Sequence, residues 1–559
     1  MKLSDLFPWI VTGTETPVLE LLANRVVNVT YTSYAGTALH NGITQWLGIR
    51  YAAPPLGDWR FAPPQDPPVN YIIQPADTVG SGRGHLDKID EYFLIQFFKH
   101  GKLCVASQAS PSDQSTSEDC LFLDIYAPTT ARPNSNLPVF VFIQGGGFNS
   151  LSNPNYNASG LIEASGHNII VVTFNYRVGP YGFLTDGNLL TANNGLRDQR
   201  KVFQWIQKYI HLFGGNSSHV VLGGDSAGAG SISLHLVADG GKNEGLFHAA
   251  AAESVSFPTV LTVNESQYQF NNFAGKLGCT GAGADAVSCL RSKSTAELQE
   301  QNQYIAYPYP GVTGPPVYMW NPVVDGDLIK NVTYASFQTG NFINVPLIIG
   351  DDTNGGTTFA PSSTATLADS NHFLKNTFPF LTDQHFATLN SLYPKTDVVF
   401  PNSGSYWRQL SDVYGEGRYM CPGLFISSTE SRVGKNNSWA YRWNVEDPAQ
   451  MASGLGVPHT VEVSAIWGPN YVSGPASYSA GGVNAPASPV IQAYWTSFIR
   501  TFNPNTYRYP GSAEWVAWSD EQKNRLLFET GGSTTMEALD DGLQARCSFW
   551  ASIGSAIRQ

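Results

Sequence analysis

Charged side chains are scarce in this 559-residue chain: Asp, Glu, Lys and Arg make up only 14 % of it, and the formal net charge is −12. Lysine and arginine form no cluster of the kind that binds phosphate backbones, so the sequence argues against a nucleic-acid partner. No apolar run is long enough to cross a bilayer, and we therefore expect no membrane span. The CxxC and paired-histidine patterns of zinc sites are also missing, and we expect neither a metal nor another cofactor.

Cysteine is sparse as well. The six cysteines are Cys104, Cys120, Cys279, Cys289, Cys421 and Cys547. The even count is compatible with three disulfides, although the sequence alone leaves the pairing open and buried free thiols are the alternative.

A secretion signal is not evident at the start of the chain, because the segment MKLSDLFPWIVTG interrupts its apolar run at Asp5. A secreted protein of this kind would have a secretion signal that is trimmed from this chain. Six N-x-S/T sequons begin at Asn28, Asn157, Asn216, Asn264, Asn331 and Asn436. In a chain rich in Asn, Ser and Thr such a number arises by chance, so the sequons permit secretion and glycosylation without demonstrating them.

Apolar residues are abundant, at 42 %, and aromatic residues reach 12 %, which indicates a well-buried globular protein. Short β-branched runs alternate with longer helical stretches, as in PVFVFIQ, NIIVVTFNYR, HVVLGGDS, VPLIIG and SWAYRWNV. Near-continuous apolar runs are typical of strands covered on both faces, so the fold class is α/β. No linker or repeat divides the chain, and we expect one domain over residues 1–559 with insertions near 70–120 and 260–345. The oligomeric state is not indicated.

The strongest motif is VVLGGDSAGAGSISLHLV, in which a strand runs into Gly224-Asp225-Ser226-Ala227-Gly228 and then into a helix. This is the G-x-S-x-G pattern of a nucleophilic serine on a sharp strand-to-helix turn. The turn would expose Ser226, and a side chain at Gly224 or Gly228 would collide with neighbouring backbone. A second strand ends in Gly145-Gly146-Gly147, where glycines leave backbone N–H groups accessible.

The chain resembles the type-B carboxylesterases and lipases, a family that includes cholinesterases and fungal lipases. The resemblance covers nearly the whole chain. It is carried by the segments GIRYAAPPLGDWRFAPPQ, EDCLFLDIYAP, QGGGF, NYRVGPYGFL, NNGLRDQ, FGGN, GDSAG, GVPHTVE and YWTSFIRTFNPN. The loop between Cys104 and Cys120 contains no tryptophan, which disfavours a cholinesterase.

This resemblance implies an α/β-hydrolase fold, a doubly wound and mostly parallel sheet with helices on both faces. It implies Ser226 as nucleophile, His459 as its base, and Gly146, Gly147 and Ala227 as oxyanion-hole donors. It also implies the disulfides Cys104–Cys120, Cys279–Cys289 and Cys421–Cys547. His459 lies late in the chain, as the order serine, acid, histidine requires.

The third member of the expected triad is missing. After VPLIIG the family pattern has a carboxylate followed by glycine, and this chain has Gly355 in that place. Loss of the acid weakens a serine–histidine pair without abolishing it, so recruitment of another carboxylate is favoured. Candidates are Asp352, Glu462 and Glu416, and we favour Glu416 because a glycine at 355 would leave room for it to reach His459.

The sequence thus predicts a serine ester hydrolase that acts on small or lipid-like carboxyl esters and is secreted. An alternative is a non-hydrolytic reaction on the same scaffold, such as acyl transfer, elimination or cyclisation of a natural-product-like substrate. A non-catalytic binding module is a third hypothesis. Retention of the serine motif, the glycine loop and the histidine disfavours it.

Overall fold

The computed structural model describes residues 26–76, 100–281, 283–397, 403–434 and 437–559. Three predictions therefore lie wholly or partly outside the described residues. They concern the start of the chain, the sequon at Asn436, and residues 77–99 of the first expected insertion.

The strands predicted from the short apolar runs are all present. In chain order the described strands are β1 (Val26–Val29), β2 (Thr32–Ala38), β3 (Ile43–Arg50), β4 (Ile73–Ala76), β5 (Leu103–Cys104), β6 (Thr116–Ser117), β7 (Phe122–Pro128), β8 (Leu137–Ile143), β9 (Ile170–Phe174), β10 (Gly215–Asp225), β11 (Ala249–Glu253), β12 (Leu347–Asp352), β13 (Ser438–Asn444), β14 (Asn524–Glu529) and β15 (Thr534–Ala538).

Helices fill most connections between these strands. The described α-helices are α1 (Ser159–Ala164), α2 (Gly179–Phe183), α3 (Asn194–Tyr209), α4 (Ala227–Val237), α5 (Val263–Lys276), α6 (Ala284–Ser292), α7 (Thr295–Gln301), α8 (Thr333–Gln338), α9 (Leu367–Thr377), α10 (Asp383–Leu392), α11 (Trp407–Gly415), α12 (Cys421–Arg432), α13 (Pro448–Ala452), α14 (Val463–Trp467), α15 (Ala487–Thr501) and α16 (Asp541–Ile553). One π-helical turn, Glu416–Met420, joins α11 to α12.

The main sheet has the order β1-β2-β3-β7-β9-β8-β10-β11-β12-β13-β14-β15, and β4 pairs with β2. Its centre, from β9 to β14, is parallel. The flanking pairs β3–β7, β7–β9 and β14–β15 are antiparallel. The predicted doubly wound, mostly parallel sheet is therefore confirmed, and its carboxyl-terminal edge is where such folds bind ligands.

Alternate residues of the central strands enter two separate hydrophobic cores. On β8, Val139 and Val141 pack into one core, whereas Phe140 and Phe142 pack into the other. All four side chains are fully or almost fully buried. This alternation explains why the strands read as continuous apolar runs, since both faces are covered by helices.

The three disulfides that the resemblance implies are present, with Cα–Cα distances of 5.0, 5.5 and 4.8 Å for Cys104–Cys120, Cys279–Cys289 and Cys421–Cys547. The second expected insertion, residues 260–345, contains α5 to α8. The assignment of residues 1–559 to one domain stays a prediction.

Candidate active site

Ser226 occupies the predicted turn between β10 and α4. Its backbone has φ 54° and ψ −117°, a region that a residue with a side chain rarely adopts. The surrounding structure holds this conformation, because the Ser226 amide donates to Glu253 O at 2.8 Å and its carbonyl accepts from Gly230 N at 2.8 Å. The serine is therefore fixed on a strained elbow at the carboxyl edge of the sheet.

The glycines of the elbow are required by contact with neighbouring backbone, as the sequence predicts. A Cβ on Gly228 would lie 1.8 Å from the Ile143 carbonyl oxygen at the end of β8. A Cβ on Gly224 would lie 2.8 Å from the Gly228 carbonyl carbon. The absence of side chains thus lets α4 begin directly against β8, where the glycine loop follows.

The glycine loop stands beside the serine and is held there by Asp225. The amide of Gly145 donates to Asp225 Oδ1 at 2.8 Å, and a Cβ on Gly145 would lie 2.9 Å from Ser226 Cβ. Burial is the main cause that raises the pKa of Asp225 to about 7. Sequence reasoning did not assign Asp225 a role, although its place before the serine put it at the site.

Three backbone amides at this loop and elbow are free. Within the described residues, no hydrogen bond is donated by the amides of Gly146, Gly147 or Ala227. Gly146 and Gly147 have φ of 108° and 63°, a region that favours glycine, and a Cβ on Gly147 would meet the Tyr318 ring at 2.4 Å. Unpaired amides around a serine are the arrangement that binds an oxyanion.

His459 lies on the segment between β13 and α14, at the same edge of the sheet. Its ring packs against Tyr419, with centroids 4.0 Å apart and ring planes inclined by 33°, and contacts Phe359 edge-on at 5.2 Å. Both ring nitrogens are buried, and neither makes a hydrogen bond within the described structure. Burial, together with the positive charge of Arg418, lowers the pKa of His459 to about 3.

The position of the missing acid is next to this imidazole. A Cβ on Gly355 would lie 3.9 Å from His459 Nδ1, and its other nearest atoms would be at ordinary contact distances of 3.7 and 3.9 Å. The next residue differs, because a Cβ on Gly356 would lie 1.9 Å from the Ser411 carbonyl oxygen. Gly355 therefore leaves space for a side chain on the Nδ1 side of the histidine.

None of the three candidate acids fills that space. Glu416 was favoured, but its carboxylate accepts two hydrogen bonds from Arg546, at 2.7 and 2.8 Å, and one from Tyr393 at 2.7 Å. The geometry corrects the expectation that Glu416 turns toward His459, because Arg546 and Tyr393 occupy its carboxylate.

The other two candidates are engaged elsewhere as well. Asp352 Oδ2 accepts from the Thr460 amide at 2.6 Å and from the Ser254 hydroxyl at 3.1 Å. Glu462 Oε1 accepts from the Tyr441 hydroxyl at 2.8 Å. Burial raises the pKa of both carboxyls, which lie close together. Asp352 thus positions the backbone beside His459 without touching its ring.

The π-helical turn supplies two side chains that the sequence did not reveal. Tyr419 packs against His459, and the Arg418 Nε donates to the Ser256 hydroxyl at 2.9 Å. The Ser256 amide in turn donates to the Ser226 carbonyl at 3.3 Å. π-Helical turns often occur at functional sites, and they have no sequence pattern that would identify them.

In the part of the chain that the structure describes, no group of three His, Cys, Asp or Glu side chains is arranged to hold a metal ion. None of the described helices is long and apolar enough to span a membrane.

Comparison with known proteins relates this chain to carboxylesterases and lipases. A model of the carboxylesterase family matches residues 23–550. Secreted lipase 4 of Gibberella zeae is 29 % identical over 549 residues, which cover 93 % of this chain and 92 % of that protein. Lipase 1 of Geotrichum candidum is 33 % identical over 407 residues, 68 % of this chain and 70 % of that protein. The crystal structure of Aspergillus niger EstA aligns with a TM-score of 0.88 and 39 % identity, over 96 % of this chain and 99 % of that chain.

Proposed function

The chain belongs to the carboxylesterase family and is a serine ester hydrolase, and we propose that it works through Ser226 and His459 without a third catalytic acid. The observation that carries this proposal is the strained conformation of Ser226 beside three unpaired amides. Strain of this kind persists only where the surrounding structure holds it, and it is concentrated at active sites.

In the proposed reaction His459 takes the proton of the Ser226 hydroxyl as the oxygen attacks the ester carbonyl carbon. Negative charge then develops on the carbonyl oxygen, and the amides of Gly146, Gly147 and Ala227 stabilise it. Return of the proton to the leaving alcohol yields an acyl-enzyme, which a water molecule hydrolyses by the same steps. No hydrogen bond joins His459 to Ser226 among the described residues. Such contacts often form only when substrate is bound.

The missing acid makes His459 a weak base. In serine proteases, disabling the triad acid costs about 10⁴ in turnover, or about 5 kcal/mol of transition-state stabilisation. No carboxylate of the described residues bonds to His459 Nδ1, and burial disfavours the protonated form of the ring. We therefore expect slow hydrolysis of simple esters, with a rate well below that of a complete triad.

We further infer that the substrates are small or lipid-like carboxyl esters and that the protein acts outside the cell. Two of the similar proteins are named lipases, and one of them is named a secreted lipase. Three disulfides are also typical of oxidising compartments such as the cell exterior.

The test uses p-nitrophenyl acetate and butyrate as substrates and an organophosphate as the label. We expect slow hydrolysis that stops when one phosphoryl group is attached at Ser226, as located by mass spectrometry, and that Ser226→Ala abolishes. Labelling without ester turnover would instead favour a non-hydrolytic reaction. Hydrolysis that survives in Ser226→Ala would refute the assignment of the nucleophile.

A further inference from the structure

Arg418 is a buried cation without a counter-ion. The residue is 3 % exposed, its Nε donates one hydrogen bond to the Ser256 hydroxyl, and its Nη2 is buried without a partner among the described residues. No carboxylate forms an ion pair with it among the described residues. Other buried arginines of the chain do have one, as Arg177 has Asp198 at 2.7 Å.

Such an arrangement is costly. A buried charge is normally paired, because the desolvation of an isolated guanidinium is not repaid by one neutral hydrogen bond. Its positive charge acts to lower the pKa of His459 and of four tyrosines, which are uncharged near neutral pH. These tyrosines are Tyr307, Tyr318, Tyr414 and Tyr419. The protein thus keeps one uncompensated positive charge at this place.

Arg418 lies next to the candidate active site. Arg418 reaches Ser256, whose amide contacts the Ser226 carbonyl. Tyr419, its neighbour on the π-helical turn, packs against His459. Tyr318, one of the tyrosines near Arg418, packs against Gly147 of the glycine loop. Arg418 is therefore linked, through Ser256, Tyr419 and Tyr318, to the segments that carry Ser226, His459 and the glycine loop.

We propose that Arg418 is a specificity-determining residue that binds a carboxylate carried by the ester substrate. This inference rests on the proposed function, because it assigns the substrate class of the same site. A planar guanidinium matches a carboxylate in shape and can donate two parallel hydrogen bonds to it. One unpaired cation also fits a monoanion, whereas a phosphate would bring more charge than Arg418 compensates.

The experiment compares esters that differ only in an anionic or an apolar end. With the carboxylate on the acyl side the pair is monoethyl glutarate and ethyl isoheptanoate. With the carboxylate on the alcohol side it is para-acetoxybenzoate and para-isopropylphenyl acetate. In each pair an isopropyl group replaces the carboxylate at nearly equal volume. Hydrolysis is followed at constant ionic strength for wild type, Arg418→Met and Arg418→Lys. Arg432→Met, which removes an exposed arginine paired with Asp520, is the control.

We expect wild type to prefer the carboxylate in at least one pair, and Arg418→Met to lose about 10- to 100-fold in kcat/KM for that substrate only. Arg418→Lys keeps the charge but not the planar fork, so we expect an intermediate loss. Arg432→Met should behave as wild type. Equal losses for both members of a pair, or a preference for the apolar ester in both pairs, would overturn the proposal.

A binding measurement separates this proposal from the proposed function. In Ser226→Ala, which cannot form an acyl-enzyme, calorimetry measures the affinity for monoethyl glutarate and para-acetoxybenzoate with and without Arg418→Met. Binding that depends on Arg418 supports the carboxylate site even if no ester is turned over. Equal affinity of both proteins for both ligands refutes it, even if simple esters are hydrolysed. A thermal melt checks that each variant is folded.

Discussion

Replacement of Gly355 by glutamate should restore the missing catalytic acid. A Cβ at this position would lie 3.9 Å from His459 Nδ1, so a carboxylate that extends from it can come within the 2.6–3.2 Å reach of a hydrogen bond. Space is available, because the nearest atoms to that Cβ would be 3.7 Å away or more and the backbone is not in the left-handed region. The substitution should therefore be tolerated.

The size of the gain follows from what a triad acid contributes. A complete triad gains about 10⁴ from its acid. A carboxylate placed in a site that was not shaped for it should recover only part, and we expect kcat/KM to rise about 10- to 100-fold, or about 1.4–2.7 kcal/mol. The matched control is Gly355→Gln, which has nearly the same shape but no charge and should not raise the rate.

The pH profile gives a second, independent measure. The base must be uncharged, so activity falls as the pH drops through its pKa, which is about 3 for His459. A new carboxylate beside Nδ1 favours the imidazolium and raises that pKa. In Gly355→Glu the acid limb of kcat/KM should move upward by at least about one pH unit, but not in Gly355→Gln. If the two variants have the same rate and the same profile, the account of Gly355 is wrong.

Two further predictions concern the cavity beside Gly355 and the buried carboxyl of Asp225. A cavity of about 30 Å³ adjoins Gly355 and Tyr419, which is room for about two water molecules. Formate bound in this cavity would replace the carboxylate that is missing at Gly355, and the Arg418→Met variant removes the other proposed carboxylate site. Formate should therefore accelerate hydrolysis by Arg418→Met several-fold. Chloride should not do so, and an equal response to formate in the double variant Arg418→Met/Gly355→Glu would contradict this explanation. The pKa of Asp225 is raised to about 7, mainly by burial. Between about pH 4 and pH 7 the native state then binds more protons at Asp225 than the unfolded state does. The stabilisation that comes from this protonated carboxyl is fully present below about pH 4 and is lost as the pH rises through about 7. Asp225→Asn should reduce the loss of unfolding free energy between about pH 5 and pH 8 by the order of 1–4 kcal/mol, as measured by denaturant titration. The exposed control Asp541→Asn should leave that pH dependence unchanged, and equal slopes for wild type and Asp225→Asn would refute the prediction.

The parts of the site that the sequence predicts are those made by adjacent residues. Ser226 and its glycines form a local turn, and the glycines are needed because β8 passes within contact distance, as at Ile143. A short motif therefore contains most of the information that places Ser226 on this turn. The alternating cores of the central strands are predictable for the same reason, because strand periodicity is a local property.

The residues that the sequence assigned wrongly or left unassigned depend on distant partners. Glu416 lies in a segment close to the site, but Arg546, at a separation of 130 residues, binds both of its oxygens. No local sequence pattern predicts the ion pair between Glu416 and Arg546. The sequence gives no signal for Arg418 either, because its proposed role depends on the lack of a counter-ion among the described residues of the folded chain. Its contact with Ser256 joins residues 162 positions apart.

Gly355 and Arg418 act on the same imidazole and in the same direction. Gly355 leaves no anion beside His459, and Arg418 places a cation near it. Both therefore disfavour the imidazolium that the proposed proton transfer from Ser226 would create. A substrate carboxylate bound to Arg418 would neutralise that cation for as long as the ester is bound. The benefit would then appear in kcat as well as in KM, because it stabilises the charge that develops in the transition state. A neutral ester of the same shape would leave the cation unpaired, and hydrolysis would have to proceed against it.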